Sequence, residues 1–221
     1  MRRLIYEPKL WAGLFIVNLF FFIWTAWLVK NETKAIRYID KGLTQIIRGE
    51  INDAKSRIAV VVTHLGDYHF LLILTILIGF GFLIARQYLI ATSFMLGFFG
   101  ARILRHVLKF VLDRERPNLQ SFVGSSNGSF PSGHMMYALY FYGALGVIAT
   151  YFLYKYGYRT QTWLSLLPSF MIILFMGWSR VYLGVHYPTD IIGGFFAGLA
   201  WLSLVVYVFL KRTHLPAFTL K

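Results

Sequence analysis

Residues 10–29 read LWAGLFIVNLFFFIWTAWLV, a run without a single charge. The hydrocarbon of a bilayer is about 30 Å thick and a helix rises about 1.5 Å per residue, so this run has the length of one crossing. Met1-Arg2-Arg3 ahead of it suggests a secretory signal, but the apolar run is long and lacks a small-x-small cleavage site, so it reads as a retained anchor. Working outward, five further apolar stretches follow. The second is centred on Phe70 to Ala85 and begins near Thr63, with Leu65-Gly66-Asp67-Tyr68 as a boundary. The others are Gln87 to Leu112, Met135 to Tyr154, Thr162 to Ser179 and Ile191 to Leu210. Pro168 lies inside the fifth, where neighbouring helices must satisfy the carbonyl it frees. Composition agrees: the chain is 57% hydrophobic and 14% charged, where a soluble domain carries about 25% charged residues. The sequence therefore predicts an all-α, six-transmembrane helix bundle, one integral membrane domain over residues 1–221. Cysteine is absent, which excludes disulfides and a thiolate nucleophile.

Parity then sorts the connections. Those after spans one, three and five share a face opposite both termini: Lys30 to about Arg57, Asp113 to about Phe130, and Arg180 to Tyr187. Most of the chemistry lies there, whereas the connections around Arg86 and Lys155 to Arg159 are short and plain. Charge does not orient the bundle. Lys and Arg number nine on the termini side and thirteen on the other, but several of the thirteen serve a site rather than a loop, so the positive-inside rule has no vote. In the first connection, about residues 31–57, Ile36, Ile39, Leu43, Ile47, Ile51, Ala54 and Ile58 recur at helical spacing, punctuated by Lys34, Arg37, Lys41, Arg48, Lys55 and Arg57. This predicts an extra amphipathic helix lying in the interface, or packed on the end of the bundle.

A formal charge of +13 points to an anionic partner, and the spans direct that charge to membrane and phosphate rather than nucleic acid. Arg102, Arg105, His106 and Lys109 form one stripe of the third span, where charges facing lipid cost several kcal/mol. Arg102 and Arg105 are expected to snorkel at the helix end. Lys109 differs because Arg116-Pro117 follows seven residues on, close enough for two long cations to hold one anion. Phe130-Pro131-Ser132-Gly133-His134 opens the fourth span. With Pro131 as the first helical residue, the amides of Ser132, Gly133 and His134 would point out of the helix end as an anion site, with the Ser132 hydroxyl as another donor and Gly133 allowing close approach. Pro188 likewise starts the sixth span and puts Asp190 in its first turn, from which the carboxylate reaches back to His186. That contact fixes the imidazole tautomer and leaves the other nitrogen free as a nucleophile. Arg180 stands six residues before that histidine. His64, Asp67 and His69 read as boundary residues.

Lys109-x6-Arg116-Pro117, Pro131-Ser132-Gly133-His134 and Ser179-Arg180-x5-His186-x3-Asp190 together resemble the three-part signature of the type-2 phosphatidic acid phosphatase family. The resemblance is specific over 109–190 and weaker from about 63 to 201; the first 60 residues do not contribute. It implies a nucleophilic His186 that forms a phosphohistidine, His134 as acid to the leaving oxygen, and Asp190 orienting His186. Lys109, Arg116, Arg180, Ser132 and Gly133 would hold the phosphoryl oxygens. It also implies a bacterial-type plasma membrane protein with cytosolic termini and its site on the outer face. The substrate would be a lipid phosphate or diphosphate such as phosphatidylglycerol phosphate, phosphatidic acid or undecaprenyl diphosphate.

The chemistry of the residues agrees, since phosphoryl transfer rests on positioning and fixed positive charge. No cofactor is expected. A metal on His134, His186 and Asp190 would be repelled by Lys109, Arg116 and Arg180. The same signature resembles vanadium haloperoxidases, which are soluble, and the apolar spans argue against them. A non-catalytic lipid-phosphate binder or transporter is the other class, but anion binding alone needs neither nucleophile nor acid. The sequence is silent on oligomeric state.

Overall fold

The computed structural model describes residues 6–119, 128–158 and 162–213. The Met1-Arg2-Arg3 start, Arg159, Lys221 and residues 120–127 of the third connection lie outside them. Eight α-helices are described: α1 (Pro8–Lys30), α2 (Lys34–Arg48), α3 (Asp53–His64), α4 (Tyr68–Ile84), α5 (Tyr88–Leu112), α6 (Gly133–Lys155), α7 (Leu166–Tyr182) and α8 (Pro188–Arg212), with a 3-10 turn at Thr162–Ser165 before α7. Among the described residues, α1, α6 and α8 are each long and apolar enough to cross a membrane. The α3–α4 pair, bent by 46° at its break, adds a fourth if it counts as one span. Helix α7 is apolar but shorter, at 17 residues, and α5 carries Arg102, Arg105 and Lys109 in its second half.

Helix α1 lies along α8, α4 along α5, and α3 against α7, while α6 contacts α4, α5, α7 and α8. Surrounded in this way, α6 buries every residue from Met135 to Phe141, as a helix apolar around its whole circumference must. Lipid tails are as apolar as leucine, so close packing rather than water exclusion holds such helices together, and small residues set how near they come. At Gly97 on α5 the approach is closest: a Cβ there would fall 1.8 Å from the Tyr140 hydroxyl of α6. That hydroxyl donates to the carbonyls of Ser93 and Phe94. At the other end, a Cβ on Gly194 of α8 would meet the Ser132 carbonyl at 2.8 Å, and the Ser132 amide donates to the Asp190 carbonyl at 3.0 Å. The starts of α6 and α8 are thereby joined.

The structure corrects four sequence expectations. The amphipathic segment is two helices, not one, because α2 ends at Gly49 and Asn52 starts α3 by accepting the Lys55 amide at 2.9 Å. Tyr182 of α7 pins that break through the Asn52 amide and the Ser56 hydroxyl, contacts that no local pattern reveals. Thr63 belongs to α3, and the apolar helix of the second stretch, α4, starts at Tyr68. Pro131 is not the first helical residue: Ser132 is the N-cap and Gly133 opens α6. Pro168 falls in the first turn of α7, where a missing amide leaves no intrahelical carbonyl unpaired. Pro188, by contrast, does open α8, with Asp190 three residues into it.

Gly97→Ala should cost about 1–3 kcal/mol of stability through overpacking against Tyr140, whereas Gly81→Ala, where nothing lies within 4 Å, should not. Thermal midpoints of the two purified variants in detergent, measured against the parent, test this.

Candidate active site

Three chain segments meet where α5, α7 and α8 end or begin. Helix α7 stops with Gly184 in the left-handed region, φ 75°, which only glycine adopts without cost. The Gly184 amide bonds to the Val181 carbonyl and the Val185 amide to the Arg180 carbonyl, the pairing of a Schellman turn. The chain is thus turned so that His186 is buried, 2% exposed, beside the first turn of α8. Its Nδ1 donates to Asp190 Oδ2 at 3.2 Å, and the same oxygen accepts the Tyr187 amide at 2.9 Å. With Nδ1 so committed, the lone pair sits on Nε2.

Helix α5 ends at Asp113, also left-handed at φ 28°, a conformation aspartate tolerates better than most residues. The turn brings Arg114 and Arg116 back toward α8. Arg116 Nη1 donates to the Val185 carbonyl, next to His186, at 2.6 Å. Lys109 is buried and donates to the Gly128 carbonyl at 2.5 Å. Arg180, likewise buried, donates through Nη1 to Thr63 Oγ1 at 2.6 Å. His134, Lys109, Arg116, Arg180 and Arg105 all lie within electrostatic reach of His186. Ser132 and Gly133 start α6 next to Asp190. Lys109, Arg116, Ser132, Gly133, His134, Arg180, His186 and Asp190 are therefore brought to one end of the bundle.

Three buried donors there, Ser132 Oγ, Arg105 Nε and Arg180 Nε, have no hydrogen-bond partner among the described residues. Such groups cost free energy unless something accepts from them, and an oxyanion with several acceptor oxygens suits them. The Ser132 amide is not available for this, since it is spent on Asp190; the first-turn amides of Gly133 and His134 are the ones that face out of the helix.

Some residues take places that the sequence reading did not assign them. Arg105 does not snorkel: a Cβ on Gly133 would touch its Nε at 3.0 Å, which puts it against the start of α6. Arg102 stacks over the Tyr68 ring, 3.7 Å from the centroid. His106 is exposed rather than turned inward, and Asp67 lies within electrostatic reach of Arg180. Most consequential is Arg114, passed over between Lys109 and Arg116. Its Nη1 donates to Asp190 Oδ1 at 2.7 Å and to Thr189 Oγ1 at 2.9 Å, and its Nη2 donates to Asp40 Oδ2 at 2.5 Å. A usable signal was present, because Asp40 is an acid on the stripe of α2 shared by Ile36 and Ile47, and a carboxylate on the buried face needs a cation.

Burial, followed by the cations Arg180, Arg116, Lys109 and Arg105, pushes the His186 imidazole well below its ordinary value near 6.5. The neutral form is thus favoured by the fold, and the histidine's contribution to stability is complete above about pH 6.5 and declines as the pH falls through the lowered value. In 15N spectra of histidine-labelled protein, His186 should still read as neutral at pH 6.5; a midpoint at or above 6.5 would contradict this.

A helical bundle that gathers cations and helix-end amides around a histidine–aspartate pair defines an anion-handling membrane protein. The chain belongs to the PAP2 superfamily, whose model matches residues 88–214. It is 36% identical over 190 residues to phosphatidylglycerophosphatase B of Bacillus subtilis strain 168, covering 85% of this chain and 90% of that one. It is 29% identical over 124 residues to an undecaprenyl-diphosphatase of Sulfolobus acidocaldarius, covering 52% and 53%. The crystal structure of the transmembrane PAP2-type phosphatidylglycerolphosphate phosphatase from Bacillus subtilis superposes with a TM-score of 0.74 at 34% identity, over 90% of this chain and 94% of that one. Aquifex aeolicus LpxE shares the fold, with a TM-score of 0.57 at 20% identity over 77% and 93%.

Proposed function

We propose that this protein is a membrane lipid phosphatase that hydrolyses the terminal phosphate of a lipid phosphate or diphosphate through a phosphohistidine. The observation that carries the reading is the buried His186–Asp190 pair, its Nε2 without a hydrogen bond among the described residues, set among Lys109, Arg116 and Arg180. Nε2 of His186 attacks phosphorus while the bond from phosphorus to the lipid oxygen breaks. His134 gives its proton to that oxygen, and Asp190 supports the imidazolium through Nδ1–H. Water then attacks the phosphohistidine, His134 takes back a proton, and phosphate leaves. Charge on the transferring oxygens is met by Lys109, Arg116 and Arg180, the Ser132 hydroxyl and the Gly133 amide, so that the cations do the work a metal does elsewhere. The relatives' names favour phosphatidylglycerol phosphate or undecaprenyl diphosphate as substrate, ahead of phosphatidic acid.

The topology that goes with this reading is a single domain of six spans, α1, α4, α5, α6, α7 and α8, with cytosolic termini and the site at the outer face of the plasma membrane. Helix α2 lies in the interface. Its exposed Ile39, Leu43 and Ile46 form one stripe beside the buried one of Ile36 and Asp40, as suits a helix that rests on lipid and bundle at once.

Phosphate release by the purified protein in detergent, from phosphatidylglycerol phosphate, undecaprenyl diphosphate and phosphatidic acid in turn, tests the proposal. His186→Ala should lower kcat by on the order of 10³-fold or more, the scale of losing a nucleophile, and a chelator should change nothing. A His186→Ala enzyme working at the parent rate would overturn the assignment of the nucleophile.

A further inference from the structure

The network beyond Asp190 does not end at the residues of the three motifs. We propose that Arg114 and Asp40 are positioning residues for the His186–Asp190 pair, so that α2, which precedes the region matched by the family model, is part of the catalytic apparatus. This rests on His186 being the nucleophile.

The geometry is that of one planar guanidinium shared between two carboxylates. Arg114 reaches Asp190 with Nη1 and Asp40 with Nη2. Its guanidinium carbon lies 4.1 Å from the centroid of the Tyr187 ring, which limits its rotation. Asp40 in turn accepts the Thr189 amide at 3.0 Å and the Thr189 hydroxyl at 2.8 Å through Oδ1. Thr189 is the second residue of α8, so its amide is one that the helix cannot satisfy itself. A carboxylate from α2 therefore caps α8 from outside while also holding the arginine that holds Asp190. The pairs are desolvated: the side chains of Asp190, Asp40 and Arg114 are 0%, 5% and 17% exposed. In such surroundings a planar guanidinium that bridges two carboxylates fixes their relative orientation as well as supplying charge, which the point charge of a lysine cannot do.

Two carboxylates and one guanidinium leave a net charge of one negative next to His186 Nδ1, and that balance gives the inference a signature. Facing His186 are Asp190 on α8, Arg180 on α7, Lys109 and Arg105 on α5, Arg116 after α5 and His134 on α6. With all of these retained, Asp40→Asn removes a negative charge and makes His186 harder to protonate. Arg114→Gln removes a positive one and makes it easier to protonate. The acid limb of kcat/KM should therefore move to lower pH in Asp40→Asn and to higher pH in Arg114→Gln. A purely structural salt bridge would move the two limbs together or not at all.

The experiment measures phosphate release from one lipid substrate across pH for Asp40→Asn, Arg114→Gln, Arg114→Lys, the double variant Asp40→Asn with Arg114→Gln, and His186→Ala. Each single network variant should lose on the order of 10- to 100-fold in kcat, the scale on which a misplaced reacting group costs rate, with little change in KM. The double variant should lose no more than Arg114→Gln alone, since the two residues act as one unit. Arg114→Lys should keep the thermal midpoint but not the rate. Should the Arg114 variants fail to fold, Asp40→Asn, which keeps size and shape, decides. Parent kcat and an unmoved acid limb in Asp40→Asn, or additive losses in the double variant, would overturn the inference. If His186→Ala is inactive in that case, the nucleophile stands and only the positioning role falls; if His186→Ala is active, the underlying reading falls instead.

Discussion

Positive charge crowded into a water-poor end of a helical bundle is the constraint on which the rest of this structure depends. Lys109, Arg105, Arg116 and Arg180 come together with Asp190 and Asp67 as the acids within electrostatic reach, too few to offset the desolvation of four cations. Two devices make the arrangement tenable. Backbone carbonyls and one hydroxyl take some donors: Gly128 from Lys109, Val185 from Arg116 and Thr63 from Arg180. The acids Asp40 and Asp190 are meanwhile bound to Arg114 rather than to the four cations around the histidine. What remains is an excess of positive charge with donors to spare, the electrostatic complement of a phosphoryl group.

That excess is useful only because helices deliver it to one place. The starts of α6 and α8 lie side by side since Gly194 lets the Ser132 carbonyl approach and the Ser132 amide bonds to Asp190. Both helix dipoles then point their positive ends toward the same region. The left-handed residues Asp113 and Gly184 redirect the chain at the ends of α5 and α7, so that a cation from one turn and the histidine from the other face the same α8 carboxylate. Helix α2 closes the arrangement from outside through Asp40. The amphipathic segment thus has two faces with different work: Ile39, Leu43 and Ile46 turned outward, Ile36 and Asp40 turned to the bundle.

Much of this was legible beforehand wherever the cause is local. An apolar run of bilayer length must be a helix, because in hydrocarbon no other single-chain segment satisfies its own amides. Pro188 must start α8, because its missing amide costs nothing there, and once it does, Asp190 is within reach of His186. The three motifs each lie across a helix end and the chain beside it, Lys109 to Arg116 at the end of α5, Ser132 to His134 at the start of α6 and Arg180 to Asp190 between α7 and α8, so their spacing could be read locally.

The tertiary structure alone decided what depends on partners distant in sequence. Helix α6 begins at Gly133 rather than Pro131 because the Ser132 amide is taken by a residue 58 positions later. The amphipathic helix breaks at Asn52 because Tyr182 is there to bind it. Arg105 turns toward Gly133 instead of the interface, and Asp40 finds Arg114, because bundle packing brings those elements together. Periodicity and motif spacing encode which residues share a helix face or a turn. They carry no record of which faces meet, and that meeting is where a charge becomes a ligand, a cap or a positioning group.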